Sequence, residues 1–384
     1  MNILRLLRLY KKRNDTDQAH LLRIAIDKSA FAYNISCFQK QFNDQRIAAV
    51  LKSNAYGHGL SLMGTLCDKD DRISHLVVDS IAEAQVLRHC GIKKEILILG
   101  HIPFARVSHL SRLAPLIISV VSMPQAEWLS YNISFPLRVH IKVDTGMHRQ
   151  GVGVFELEKT IDILSKNRHI SVEGLLSHLA DADGPTTEFD LKQLKQWDEA
   201  VSLFKKRIPL GIVHFSATAG THYVHQAKNN LIRAGIGLYG FDNTKTKTLG
   251  VKPVLSFFAR IVNIKTLNSG DCVGYNATFC APSPMRIGVI PCGYYEGVPR
   301  VLSNQGFFYY NDVKLPIVGT VSMNLTTIDM SDPACDQLRL EDEIEVFSSN
   351  QERLNSIAYV ARTCRTIPYE ILIRLAPGIR RVIV

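Results

Sequence analysis

A lysine closes the apolar run Ile47-Ala48-Ala49-Val50-Leu51-Lys52, and the next residues, Ser53-Asn54-Ala55-Tyr56-Gly57-His58-Gly59, crowd a phenol, an imidazole and two glycines into one turn. An amine at the end of a buried strand is partly desolvated, which favours its neutral form and frees it to make a Schiff base with a carbonyl. A strand-end lysine standing alone more often snorkels into water. Here the glycines allow close backbone approach and the tyrosine offers a hydroxyl donor, so the segment is richer than an ordinary loop. Other polar groups also follow apolar runs: Asp144 to Arg149, His178, Ser216 to Thr218, and Arg233 with Gly235.

Something must hold these groups at one end of a common scaffold. Apolar runs at 47–51, 75–78, 95–99, 116–121, 138–143, 172–176, 212–215 and 230–232 read as strands, with helix-like segments between them. The clearest helices are 81–89 and 187–206. Eight strands with intervening helices predict a (β/α)8 TIM barrel, whose active site is built at the carboxyl ends of the strands and which often holds a phosphate after strands seven and eight. A doubly wound sheet would give a similar alternation. After Gly250 the pattern becomes β-rich, with runs at 254–264, 286–290 and 343–347 and turns at Asn268-Ser269-Gly270 and Ser303-Asn304-Gln305-Gly306. The expected organisation is a basic extension over 1–20, a barrel over 21–250, and a mostly antiparallel β domain over 251–384. The early strand at 21–26 has no place in the barrel count and is a candidate for the second sheet.

Composition narrows the function classes. The chain has 384 residues, 46% hydrophobic and 21% charged, as expected of a two-domain globular enzyme. No apolar stretch reaches the ~18 residues of a membrane span. Eight scattered cysteines without a CxxC pair predict reduced thiols, no disulfide framework, no metal and a cytoplasmic setting. Of the net charge of +10, five cations (Arg5, Arg8, Lys11, Lys12 and Arg13) sit in the acid-free first fourteen residues. That arm reads as a frayed extension rather than a membrane anchor or a secretory signal, and the distribution speaks against a nucleic-acid face.

The run Ala49-Val50-Leu51-Lys52-Ser53-Asn54-Ala55-Tyr56-Gly57-His58-Gly59 resembles the pyridoxal-phosphate signature of alanine racemases. The likeness extends through His140 to Arg149, Glu173 to His178, Arg233 to Gly240, Gly274 to Phe279, Gly319 to Asn324 and Pro368 to Glu370. It implies an eight-fold barrel followed by a β domain. It also implies a homodimer with shared active sites, alanine as substrate, and D-alanine delivered to peptidoglycan. Gly235, Gly237 and Gly240 also satisfy the GxGxxG dinucleotide pattern, but no convincing helix follows and no acid lies about 20 residues on, so a phosphate loop explains them better.

Racemisation removes the Cα proton and returns it to the opposite face, so one acid–base group is needed on each side. The resemblance assigns these to Lys52, which also holds the cofactor, and Tyr275. A tyrosine titrates near ~10, so a neighbouring cation must favour phenolate; His178 and Arg233 are the implied network. Arg233 is further implied to face the pyridine nitrogen, where a guanidinium keeps the ring unprotonated and the carbanion short-lived. Phosphate is implied to meet Tyr56, Thr218, Tyr369 and the amides of Gly235 and Ile236. The substrate carboxylate is implied to meet Arg149 and the Met323 amide. Lys142 matches a lysine that is carbamylated in many family members and would then orient Arg149.

Some residues depart from the family pattern. Asn324 and Glu296 each stand where aspartate is usual, and Ala217-Thr218 replaces an Asn-Ser pair; the change at 324 puts local support of the substrate entrance in question. Tyr275, Tyr294 and Tyr369 are expected to narrow the entrance toward a small side chain. Two other activities remain open: a broader amino-acid racemase, and a non-catalytic cofactor-carrier barrel. The carrier would need neither a β domain nor a second base.

Overall fold

The computed structural model describes residues 20–184, 186–244 and 249–384. The basic extension lies, but for its last residue, outside them. Two compact units form, one from 29–253 and the other from 254–384 with the segment up to Lys28.

The first unit is an eight-stranded parallel barrel. Its strands are β2 (Arg46–Val50), β3 (Ile73–Val78), β4 (Glu95–Ile98), β5 (Leu116–Val120), β6 (Leu137–Lys142), β7 (Ile170–Leu176), β8 (Ile212–His214) and β9 (Leu231–Ala234). Neighbours run in the order β8-β7-β6-β5-β4-β3-β2-β9. The ring is nearly closed where Asn230 N donates to Val213 O at 3.0 Å and Arg233 N to Ser216 O at 3.1 Å. Strands buried on both faces read as continuous apolar runs, as in Leu116-Ile117-Ile118-Ser119-Val120, where every residue is buried. Helices begin where side chains cap them. Ser80 accepts from Glu83 N, Ser122 from Gln125 N, and Thr187 with Asp190 forms a capping box before Glu188–Arg207.

Three features differ from the sequence reading. The connections at Phe104–Leu113 and Ala219–Tyr223 are 3-10 turns rather than α-helices. Arg233 lies inside β9 rather than beyond it, buried in the barrel. The barrel interior is also unusually polar, with His75, Ser119, His140 and His214 all buried, whereas branched apolar residues normally fill such layers.

In the second unit, β1 (Leu22–Ile26) pairs antiparallel with β10 (Leu255–Arg260) and parallel with β19 (Arg380–Ile383). A six-stranded sheet contains these with β15 (Phe307–Tyr310), β16 (Val313–Pro316) and β18 (Glu343–Phe347). The run 254–264 breaks between sheets, since β11 (Asn263–Leu267) pairs instead with β14 (Met285–Ile290), next to β17 (Thr326–Asp329). A two-stranded hairpin, β12 (Cys272–Val273) and β13 (Phe279–Cys280), completes the unit. Cys272 and Cys280 are disulfide-bonded. This corrects the expectation of reduced thiols throughout: the hairpin brings two cysteines of separation eight face to face, a pairing that spacing alone does not reveal. Among the described residues no helix is long and apolar enough to cross a membrane.

Candidate active site

At the barrel mouth, Lys52 follows β2 after Leu51 and opens a left-handed turn. Ser53, Asn54, Ala55 and Tyr56 have φ of 56°, 56°, 52° and 51°. Left-handed backbone costs a non-glycine residue roughly 1–2 kcal/mol, so four in a row persist only if neighbours over-determine them. Glu83 does so with Oε1, which accepts from Ser53 N at 2.6 Å, while its Oε2 accepts from Asp79 N at 2.8 Å. Asn54 Oδ1 takes the Leu60 amide at 2.8 Å, and buried His58 Nδ1 donates to Tyr56 O at 2.9 Å. Gly57 at φ 81° then ends the turn. Neither the turn nor the part of Glu83 is visible in sequence. The one local signal is Asn54, since Asn tolerates this conformation.

Arg233 is held on all sides. NH1 donates to His214 O and, at 2.9 Å, to His214 Nδ1; NH2 donates to Ser177 O at 2.7 Å, to Phe215 O at 3.0 Å and, long, to His178 Nδ1 at 3.4 Å. Of its five N–H donors, only the one on Nε has no acceptor among the described residues. Burial pushes Arg233 down to about 10, so it stays cationic at neutral pH. A guanidinium only donates, so His178 Nδ1 accepts, and burial with this cation holds His178 well below the ordinary imidazole range. The fixed charge in this pair is therefore Arg233.

Lys142 ends β6 and is buried, its ammonium 3.3 Å from Gln150 Oε1. Burial first, then the charges of Arg233, Arg149 and Lys52, push it down to about 8. Lys52, Lys142, Arg149, His178 and Arg233 thus converge on one electropositive mouth. Arg149 is exposed and makes no ion pair among the described residues, while Asp144 Oδ1 pins its loop through Gly146 N and His148 N.

The glycines after β9 make room for a compact cradle. A Cβ at Gly235 would lie 2.7 Å from Tyr56 Oη, one at Gly237 2.7 Å from Thr218 Cγ2, and one at Gly240 2.0 Å from Lys252 O. Thr218 Oγ1 accepts from Gly235 N and Gly237 N, both at 3.2 Å. The Ile236 amide lies between them in the first turn of a 3-10 helix, where no intrahelical acceptor exists. Ser216 Oγ is buried nearby with no partner among the described residues. Burial pushes the Tyr56 phenol up, so it remains an O–H donor. Hydroxyls, amides and an orphaned serine beside a glycine cradle suit a phosphate dianion, and the donor set fits pyridoxal phosphate.

In the second unit Tyr275 is 68% exposed at the tip of the disulfide-closed hairpin. Gly274, Asn276 and Ala277 around it have positive φ. Thr320 Oγ1 donates to Tyr275 O at 3.1 Å, and Asn304 Nδ2 to Thr278 Oγ1 at 3.1 Å. Met323 is 55% exposed on the adjoining loop; its carbonyl accepts from Tyr295 N at 2.9 Å, and its own amide has no partner among the described residues. Tyr369 lies on the short helix Pro368–Ile373.

The two departures at 296 and 324 form a single contact. Asn324 Nδ2 donates to buried Glu296 Oε1 at 2.8 Å, and Glu296 Oε2 accepts from Gly293 N at 2.8 Å. An aspartate at 324 would face that carboxylate, and like charges at such range cannot both ionise freely. The amide at 324 thus donates to Glu296 where a second carboxylate would repel it.

Comparison with known proteins comes to the same point. The model described as "Alanine racemase, N-terminal domain" matches residues 26–243, and "Alanine racemase, C-terminal domain" matches 254–383. The chain is 32% identical over 356 residues to the alanine racemase of Syntrophobacter fumaroxidans, covering 91% of this chain and 93% of that one. It is 32% identical over 378 residues to that of Leptospira interrogans, covering 94% and 95%. The crystal structure of alanine racemase from Bartonella henselae with covalently bound pyridoxal phosphate superposes with a TM-score of 0.80 at 26% identity, covering 95% of this chain and all of the other.

Proposed function

Since the chain belongs to the alanine racemase family, and so interconverts L- and D-alanine with pyridoxal phosphate, we propose that Lys52 and Tyr275 are its two acid–base residues. The observation that supports this best is the convergence of Lys52, Arg233 and the Tyr56–Thr218–Gly235 cradle at one barrel mouth. When bound, the cofactor supplies the electron sink that acidifies the Cα–H bond of the attached amino acid. Lys52 would anchor it, and its amine would carry the Cα proton on the D-face. The Tyr275 hydroxyl exchanges it on the L-face.

Tyr56, Thr218, Tyr369 and the amides of Gly235 and Ile236 hold the phosphate. The leftover Nε–H of Arg233 is the donor assigned to the pyridine nitrogen. A guanidinium takes up no proton, so the ring nitrogen would stay unprotonated and the electron sink would be weaker, which would disfavour transamination. His178, neutral beside Arg233, relays its orientation toward the second base. Arg149 grips the substrate carboxylate as a bidentate fork with the Met323 amide.

Lys142 is proposed as a carbamylation site, because burial among three cations raises its share of nucleophilic neutral amine and would welcome the anion formed. Supplying 13C-bicarbonate should give a carbamate carbon resonance in the wild type that Lys142→Ala abolishes. A spectrum without it leaves Lys142 an ordinary amine.

The subunit is proposed to act as a homodimer with shared sites. Tyr275, Tyr294, Tyr295, Val301, Met323 and Leu325 leave large apolar surface on one face of the second unit. Backbone bonds from Tyr294 N to Ser322 O and from Tyr295 N to Met323 O join part of that face, and an exposed apolar patch of this kind calls for cover.

The deciding measurement is racemisation by purified, cofactor-loaded protein. L-alanine should turn over fastest, serine more slowly and lysine negligibly. Comparable rates on all three would favour a broad-spectrum racemase, and bound cofactor without turnover would favour a carrier.

A further inference from the structure

Two buried imidazoles lie beneath Arg233. His214, at the end of β8, has Nδ1 2.9 Å from Arg233 NH1 and Nε2 2.8 Å from His140 Nδ1. Both histidines are fully buried, and their rings meet edge to face with centroids 4.9 Å apart. A guanidinium has no acceptor, so His214 Nδ1 must accept and the ring proton must sit on Nε2. That proton is donated to His140 Nδ1, which leaves the proton of His140 on its Nε2. Among the described residues His140 Nε2 has no partner. The N–H that Arg233 turns on His214, that of His214 and that of His140 thus all run in one direction along the line.

The fold makes space for this line. A Cβ at Gly174, in β7 beside β6, would lie 2.5 to 2.7 Å from Cδ2, Nε2 and Cγ of His140. Only glycine lets that ring lie across the strand. Burial pushes His140 down to about 3 and His214 well below its ordinary range. His75, Arg138, Glu95 and Arg46 are the other charged or titratable groups acting on His140.

We propose that His140 is a positioning residue for Arg233: by accepting the Nε2 proton of His214 it locks His214 in the one tautomer whose Nδ1 can receive the guanidinium, on the reading that Arg233 serves the cofactor ring. Without that acceptor, His214 is free to move its proton to Nδ1. N–H would then face N–H, and Arg233 would turn from its place.

The first test needs no variant and no turnover. In protein labelled with 15N-histidine, His214 should show a protonated Nε2 and a bare Nδ1; a protonated Nδ1 overturns the proposal whether or not the protein racemises alanine. The second compares His140→Leu, which fills the space without an acceptor, with His140→Asn, whose Oδ1 can take the place of Nδ1. His140→Leu should lower kcat roughly tenfold with KM for alanine moving less than about twofold, as expected for losing one hydrogen bond that orients the ring partner rather than the substrate. It should also shift the absorption band of the bound cofactor, while His140→Asn restores both. Equal losses in the two variants would mean that His140 only fills space, and would overturn the proposal. Failure of the wild type to racemise any amino acid, with His214 in the stated tautomer, would instead sink the functional reading.

Discussion

Lys52→Ala should lose racemisation by more than about 10⁴-fold, because on the proposed assignment one side chain both anchors the cofactor and supplies an acid–base group, and groups acting as a unit fail together. Borohydride reduction of the wild-type holoenzyme, followed by peptide mass mapping, should find the pyridoxyl group on Lys52. Lys142 is the instructive competitor. It belongs to the same mouth, and burial pushes it down to about 8, so it offers neutral amine. Position separates the two: Lys142 is the last residue of β6, whereas Lys52 heads the left-handed turn that leads to Tyr56 and the phosphate cradle. A small primary amine such as methylamine should restore part of the activity of Lys52→Ala by entering the space left behind. It should restore none to Lys52→Arg, whose guanidinium refills that space. An adduct on Lys142, or an active Lys52→Ala, would remove Lys52 from both roles.

The barrel could be read from the chain because its strands are buried on both sides and so announce themselves as apolar runs followed by polar residues. The left-handed turn after Lys52 could not. Ser53, Ala55 and Tyr56 have no intrinsic taste for positive φ, and the carboxylate that stabilises the turn, Glu83, is thirty residues away. His140 and His214 stood in plain sight inside predicted strands. What sequence lacked was the pairing of those strands with β7 and β9, which turns two core histidines into a line ending on Arg233. Likewise Glu296 and Asn324 read as two separate departures, while in the fold they are donor and acceptor of one bond. Local pattern tells which face of a strand is buried. Which polar group meets which is decided by tertiary contact.

Tyr275→Phe should silence one face of the reaction far more than the other. The substitution keeps the ring and removes only the hydroxyl, and the hairpin is built independently of that hydroxyl: the Cys272–Cys280 bond closes it, and Thr320 and Asn304 hold its backbone and Thr278. Exchange of the Cα proton of L-alanine with deuterium should therefore fall by about 10³-fold, within the usual range for loss of a general acid–base group, while exchange on D-alanine falls less than about tenfold. Equal losses on both enantiomers would make Tyr275 a packing residue at the entrance.

The same variant tests the shared site. If Lys52 and Tyr275 of one site come from different chains, a mixed dimer of Lys52→Ala and Tyr275→Phe holds one site with both lesions and one with neither. For equal amounts and random pairing in a symmetric dimer, half the molecules are mixed, and activity should return to about a quarter of wild type. Chain exchange verified by native mass with no return of activity would mean that Lys52 and Tyr275 meet within one chain, and that the exposed aromatic face of the second unit covers something other than its partner's barrel.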